Sequence, residues 1–326
     1  MKVLIAGGAG YIGSHCVKRM SELGYEVVVV DNLSTGHRAS IKSPFYLGDI
    51  RDAFFLDHVF EKEKVDLVIH FCAKSLVGES VLQPLDYFEN NVFGTLQLLQ
   101  AMQKAKVNKI VFSSSAAVYG EHEIMPITED YPTIPTNPYG ETKLMMEKMM
   151  KWAEKAYGLK YMSLRYFNVA GACESGTIGE DHHPETHLIP LVLEVALGKR
   201  AQINVFGNDY PTKDGTCIRD YIHVSDLIEA HILAAQALLN NEASQIFNLG
   251  SEEGFSVLEI IKTASQVTKV NIPYQISPRR PGDPAKLVAA SSKIKDLLGW
   301  EPKKSIEDIV RTAWEWHRNH PQGYEK

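Results

Sequence analysis

The feature that most constrains this chain is a glycine-rich heptad, Gly7-Gly8-Ala9-Gly10-Tyr11-Ile12-Gly13, set between an apolar run, Lys2–Ala6, and a helical period. Glycines at this spacing permit a tight turn and let the backbone approach a pyrophosphate at a helix N-terminus. The heptad alone is weak evidence, and its place between strand and helix is what gives it meaning. A plain glycine turn with a capping acid is the simpler alternative. Asp31 ends the second apolar run, about twenty residues further on, where a carboxylate accepts from ribose hydroxyls. With Asn32 beside it, an acid there favours NAD over NADP, whose 2′-phosphate would meet a like charge.

Short β-branched runs at Lys2–Ala6, Glu26–Val30, Pro44–Leu47, Asp66–His70, Lys109–Ser113 and Tyr161–Arg165 alternate with helical periods such as Ile12–Leu23 and Asn91–Gln103. Alternation of this kind predicts an α/β protein with a Rossmann-type, doubly wound parallel sheet. Runs such as VVVV and DLVIHF are nearly all apolar, as strands buried on both faces are. Glycine, proline and histidine thicken after Asn168. The expected division is residues 1–168 for the dinucleotide and residues 169–326 for a smaller α/β substrate lobe. Gln245–Leu249 reads as a strand returning to the main sheet.

At the carboxyl edge, where ligands of such sheets bind, the candidates are Asp49-Ile50 flanking an adenine, the segment Phe71-Cys72-Ala73-Lys74, and Asn90. Lys74 reads equally as a solvated lysine, and Asn90 as a helix cap. The serine run Ser113-Ser114-Ser115 ends the fifth strand. Tyr139 and Lys143 stand four apart, on one face of a helix that Asn137-Pro138 would start. A tyrosine acting as base near neutrality needs its pKa lowered from about 10 by roughly 3 units. A nearby ammonium and a positive nicotinamide both push that way.

Net charge is −6, so no nucleic-acid footprint is expected. A phosphate-bearing substrate would need a few placed arginines rather than bulk charge. Four scattered cysteines, Cys16, Cys72, Cys173 and Cys217, suit neither a disulfide framework nor a zinc site and fit a reducing cytosol. Only Val3 to Ala6 precede the glycines, and no stretch reaches the roughly 18 apolar residues of a membrane helix. A cytoplasmic protein with no leader and no membrane contact is expected.

The segments GGAGYIG, FSSSAAVYG, PYGETK and RYFNVAG together resemble the extended short-chain dehydrogenase/reductase family. The wider set GNDYPTKDGTCIRDYIHV, NLGS, RRPGD and HPQGY is similar to members that act on UDP-sugars. The resemblance implies interconversion of UDP-galactose and UDP-glucose, in galactose metabolism, through a 4-keto intermediate with retained NAD. It implies Tyr139 as base, Lys143 as its partner and Ser115 as the relaying hydroxyl. The cofactor would lie against Gly7, Gly10, Tyr11, Ile12, Gly13, Asp31, Asn32, Asp49, Ile50, Phe71, Ala73, Lys74, Asn90, Ser115, Tyr139, Lys143 and Phe167. The substrate would meet Ser115, Tyr139, Asn168, Leu188, Phe206, Arg219, Arg280 and Asp283, with Leu287 at the position that controls entry of N-acetylated sugars. Some members carry Gly-Leu-Lys after the fourth strand; here Lys74 falls one position early and Ser75 takes that lysine's place.

Two rivals share these motifs. A 4,6-dehydratase carries an acidic pair after the serine run, whereas Ala116-Ala117 stand here. A redox-sensing binding protein would have no reason to keep Tyr139, Lys143 and Ser115 together. Arg219 beside Asp220 reads alternatively as a local ion pair. No metal is expected: His182, His183 and His187 read as structural or solvated, without a matching carboxylate set, and His223 as a packing or capping residue. Val92, Leu96 and Leu99, with Met145, Met146, Met149 and Met150, suggest a core face or a four-helix dimer seam. The resemblance implies a homodimer.

Overall fold

The computed structural model describes residues 1–280 and 283–324; Pro281 and Gly282 of the RRPGD motif, with Glu325 and Lys326, lie outside them. Seven strands form the main sheet: β1 (Lys2–Ala6), β2 (Glu26–Asp31), β3 (Phe45–Leu47), β4 (Leu67–His70), β5 (Lys109–Ser115), β6 (Lys160–Tyr166) and β7 (Gln245–Leu249). Their spatial order is β7-β6-β5-β4-β1-β2-β3, and every pair is parallel. The order reverses beside β1, which opens a crevice at the carboxyl ends of β1 and β4.

Alternation along β1 explains the two-sided burial. Val3 and Ile5 join a core with the helices Tyr11–Glu22 and Val224–Leu239. Leu4 and Ala6 join the opposite core, with Leu98, Met102, Met146 and Met150. The expected parallel sheet is found, and Gln245–Leu249 does return to it, pairing Phe247 with Leu164.

The remaining elements are small. Ile203–Phe206 pairs with Tyr274–Ser277 in parallel. Ile218–Arg219 lies between Phe255–Ser256 and Lys286–Leu287. Asn168–Ala170 pairs with Tyr221–His223. A third core packs Ile189, Val192 and Leu193 against Val205, Ile261, Val310 and Ala313. Among the described residues, no helix is long and apolar enough to cross a membrane.

Two readings of the sequence change. Asn90 does not open a helix: it lies inside a π-helical turn, Phe88–Phe93, that runs on from Pro84–Tyr87 and into Gly94–Lys104. The turn carries one extra residue, which a search for helical periodicity cannot see. Met146 and Met150 are fully buried in the sheet core, so half of the methionine stripe is core. Leu96, Met145, Met149, Trp152 and Tyr157 line a surface groove instead.

Candidate active site

Beyond β1 the chain needs glycine for steric reasons. Gly7 adopts φ +79°, and a Cβ there would sit 2.7 Å from the Cys72 nitrogen; a Cβ on Gly13 would sit 2.1 Å from the Gly7 carbonyl oxygen. Gly10 caps the helix Tyr11–Glu22 with no side-chain hydrogen bond. The result is a close-packed loop and a helix start whose amides no capping side chain occupies, as a pyrophosphate requires. The Asp31 carboxylate accepts from the Ala9 amide at 2.9 Å and the Leu33 amide at 2.8 Å. Burial raises its pKa against those bonds. Asn32 donates to Asp49 at 2.9 Å, and hydrogen bonding from Arg51 holds the Asp49 carboxyl down at about 2. Ile50 is buried between the sheet and Gly94. The residues fit an adenosine diphosphate in which acid meets ribose.

Phe71 to Lys74 leave β4 along the same crevice. Asn91, fully buried, accepts from the Lys74 amide at 2.8 Å and donates to the Lys74 carbonyl at 3.1 Å and to Thr142 at 3.0 Å. Asn90 donates to Asn91 at 3.0 Å. Thus Asn91, which the sequence reading passed over, fixes the strand-end segment containing Ala73. The Lys74 ammonium lies 3.9 Å from the half-exposed Asp86 carboxylate and near the Tyr87 ring. That is the pairing of a surface lysine.

The helix Pro138–Tyr157 starts as the sequence predicts, with the Asn137 side chain accepting from the Gly140 amide and Pro138 in the first turn. It brings Tyr139, 8% exposed, and Lys143, 3% exposed, to the end of β5. The Lys143 ammonium donates to the Ser113 carbonyl at 2.7 Å and lies 5.8 Å from the Tyr139 ring centre. Ser115 closes β5, and its hydroxyl accepts from the Ala117 amide at 3.1 Å. Burial raises the Tyr139 phenol, and the neighbouring Ser115 side chain opposes it. Burial also lowers Lys143 to about 7. Desolvation is the largest influence on both groups because both are enclosed.

Behind the serines runs a buried network that the sequence reading missed. Ser114 donates to Glu147 at 2.6 Å, and Glu147 takes a two-pronged ion pair from Arg165 at 2.6 and 2.9 Å. Arg165 also donates to the Tyr119 hydroxyl at 2.9 Å, which donates to Asn248 at 2.6 Å. The signal was present: Glu147 lies one further turn along the face that carries Tyr139 and Lys143.

The expected substrate residues are held by contacts of their own. Phe167 and Leu287 pack against Val118, Tyr119 and Leu144. Asn168 is fixed through its amide, which donates to the Asp220 carbonyl at 3.0 Å. Arg219 pairs with the Asp283 carboxylate and donates to the Pro284 carbonyl at 2.9 Å. Its partner is therefore not Asp220, which is buried and accepts from the amides of Ser251 and Ala289. The Arg280 guanidinium lies 4.1 Å over the Phe206 ring. Leu188 begins the helix behind that strand. His223 caps a helix by accepting from the Ser225 amide, as a capping residue should. All four cysteines are free.

A dinucleotide loop with an acid at the second strand end, beside a buried tyrosine, lysine and serine, defines an NAD-dependent enzyme of the short-chain dehydrogenase/reductase class. A family model described as GDP-mannose 4,6 dehydratase matches residues 4–313. The chain is 57% identical to a UDP-glucose 4-epimerase of Halalkalibacterium halodurans, covering 99% of this chain and 98% of the relative. It is 55% identical to that of Lacticaseibacillus casei, covering 99% of each. A crystal structure of UDP-glucose 4-epimerase superposes with a TM-score of 0.98 at 55% identity over 100% of both chains. That from Bifidobacterium longum in complex with NAD+ and UDP superposes with a TM-score of 0.94, at 40% identity, covering 99% of this chain and 100% of that one. The chain belongs to the UDP-glucose 4-epimerase family.

Proposed function

We propose that this protein interconverts UDP-galactose and UDP-glucose by inversion at C4, with Tyr139 taking and returning the proton of the sugar's O4. Bound NAD supplies a hydride acceptor for C4 and a positive charge beside the phenol. Ser115, at the end of β5, shares the reacting proton with the phenol. Lys143, tethered to the Ser113 carbonyl at 2.7 Å, sets its side-chain nitrogen over the phenol ring, 5.8 Å from its centre. Arg219, Arg280 and Phe206 grip the uridine diphosphate, so that the 4-keto sugar turns over without escaping. Binding energy from that remote group holds the intermediate in place. Asp31 and Asn32 hold the adenosine ribose.

Inversion is favoured over dehydration by one observation: both residues after Ser115 are alanines. Ala116 and Ala117 form a tight 3-10 turn there, and alanine cannot move the second proton that loss of water at C5 and C6 demands. Conversion of UDP-galactose to UDP-glucose without net consumption of NAD is the expected activity. Tyr139→Phe should remove most turnover while NAD and UDP stay bound. Absence of conversion by the NAD-loaded wild type would overturn the reading.

The same reading puts the cofactor in residues 1–168 and the UDP-sugar in residues 169–326, with β7 crossing back. It makes the protein cytoplasmic and a homodimer. The support for the dimer is the groove lined by Leu96, Met145, Met149 and Trp152, where Trp152 is 67% exposed. Large apolar surface of this kind suits a self-complementary helix seam.

A further inference from the structure

The histidines read from the sequence as lacking carboxylate partners are in fact surrounded by them. Glu180, His182, Glu185 and His187 bring one ligand atom each within 4.8 Å of one another. His187 Nδ1 lies 3.0 Å from Glu180 and 2.9 Å from Glu185. His182 Nδ1 lies 3.2 Å from Glu180 and 3.7 Å from Glu185. Four ligands arranged tetrahedrally at zinc bond lengths of about 2.0–2.1 Å stand roughly 3.3 Å apart, so the observed spacings bracket a coordination shell. The His182 Nδ1 atom is buried and makes no hydrogen bond, although two carboxylates face it, so a ligand atom points into the cluster without a partner.

We propose that Glu180, His182, Glu185 and His187 bind one zinc-class divalent cation, closing a structural site beside the dinucleotide loop. Two imidazoles and two carboxylates are a set that zinc accepts. Charge balance agrees. The Glu180 and Glu185 side chains are 5% and 9% exposed, and buried carboxylates must be neutralised. One divalent ion with two neutral imidazoles achieves this, taking the place of two protonated imidazoles.

The surroundings supply a rigid outer frame, which metal ligands need. The Glu180 carbonyl accepts from the Trp316 indole at 3.3 Å. The Asp181 carboxylate accepts from the Tyr324 amide at 2.9 Å, and its carbonyl bonds His37 at 2.9 Å. The Tyr11 ring meets His182 edge-on at 6.2 Å, and its hydroxyl donates to the Gly171 carbonyl at 2.6 Å. The ion would therefore fasten the segment before the helix Leu188–Ala196, and with it that segment's contacts to Tyr11 of the cofactor loop and to Trp316 of the helix Ile306–Asn319.

The test reads metal, not turnover, so it stands apart from the proposed reaction. NAD-loaded protein is dialysed against a chelator, then titrated with zinc at pH 7.5, and bound metal is counted by mass spectrometry. We expect one zinc per chain in the wild type, a raised melting temperature on reloading, and at least a tenfold loss of affinity in the His182→Gln/His187→Gln double variant. Glu185→Gln, a milder change, should show a smaller loss if the double variant folds poorly. Wild-type protein that binds no zinc, or binds no more tightly than the variants, overturns the site and leaves a proton-held cluster of ion pairs.

Discussion

Replacing Lys143 by methionine should stabilise the protein in mild acid while abolishing its turnover. The Lys143 ammonium is 3% exposed, and burial brings its pKa from 10.5 to about 7. The folded chain therefore sheds a proton that the unfolded chain keeps between about pH 7 and pH 10.5. Where the unfolded state binds more protons, stability rises with pH. The penalty for burying the charge is greatest below pH 7 and lifts through that window. For one group with these two pKa values, the linkage relation puts the change between pH 6 and pH 9 at roughly 3 kcal/mol. Methionine keeps the length of the stem and has nothing to titrate.

Urea unfolding of the NAD-free wild type and Lys143→Met, at both pH values, measures this directly. The variant's advantage should shrink by about that amount as pH rises from 6 to 9. Loss of the bond to the Ser113 carbonyl at 2.7 Å adds a constant offset and does not alter the slope. A difference between the proteins that stays flat over the range would refute the claim that burial dominates this lysine.

Three other substitutions probe separate parts of the molecule. Gly13→Ala places a methyl 2.1 Å from the Gly7 carbonyl oxygen, so NAD content of the purified protein, read by absorbance, should fall to a small fraction of wild type. Arg280→Ala removes a cation stacked 4.1 Å over Phe206. UDP affinity by calorimetry should drop by about tenfold or more, equivalent to some 1.4 kcal/mol, with NAD content unchanged. Trp152→Glu puts a charge in the groove shared with Leu96 and Met149, and sedimentation should shift from dimer to monomer.

Much of this was legible from local pattern. The heptad, Asp31 and the Asn137-Pro138 helix start each depend on neighbours in sequence, and each stands where the spacing puts it. Contacts made over long distances were not legible. Asn91 holds Lys74 across 17 residues and Thr142 across 51. Arg219 finds Asp283 64 residues away, not Asp220 next door. The Glu180–His187 cluster was missed for a different reason. Its ligands lie in an irregular loop, where no period tells which side chains converge. The desolvation of Tyr139 and Lys143 was not legible either, because charge pairs can be read from spacing, whereas the cost of burial depends on everything folded above them.

The position of β7 has a consequence for how the molecule is made. Residues 245–249 complete the seven-stranded sheet, and Asn248 receives the hydroxyl of Tyr119, 129 residues earlier. A ribosome releasing this chain must therefore extrude it as far as Leu249 before β6 acquires its outer neighbour. Until then that strand presents a bare row of amides and carbonyls to the cell. The N-terminal half, expressed alone, should associate through that edge rather than persist as a free cofactor-binding module.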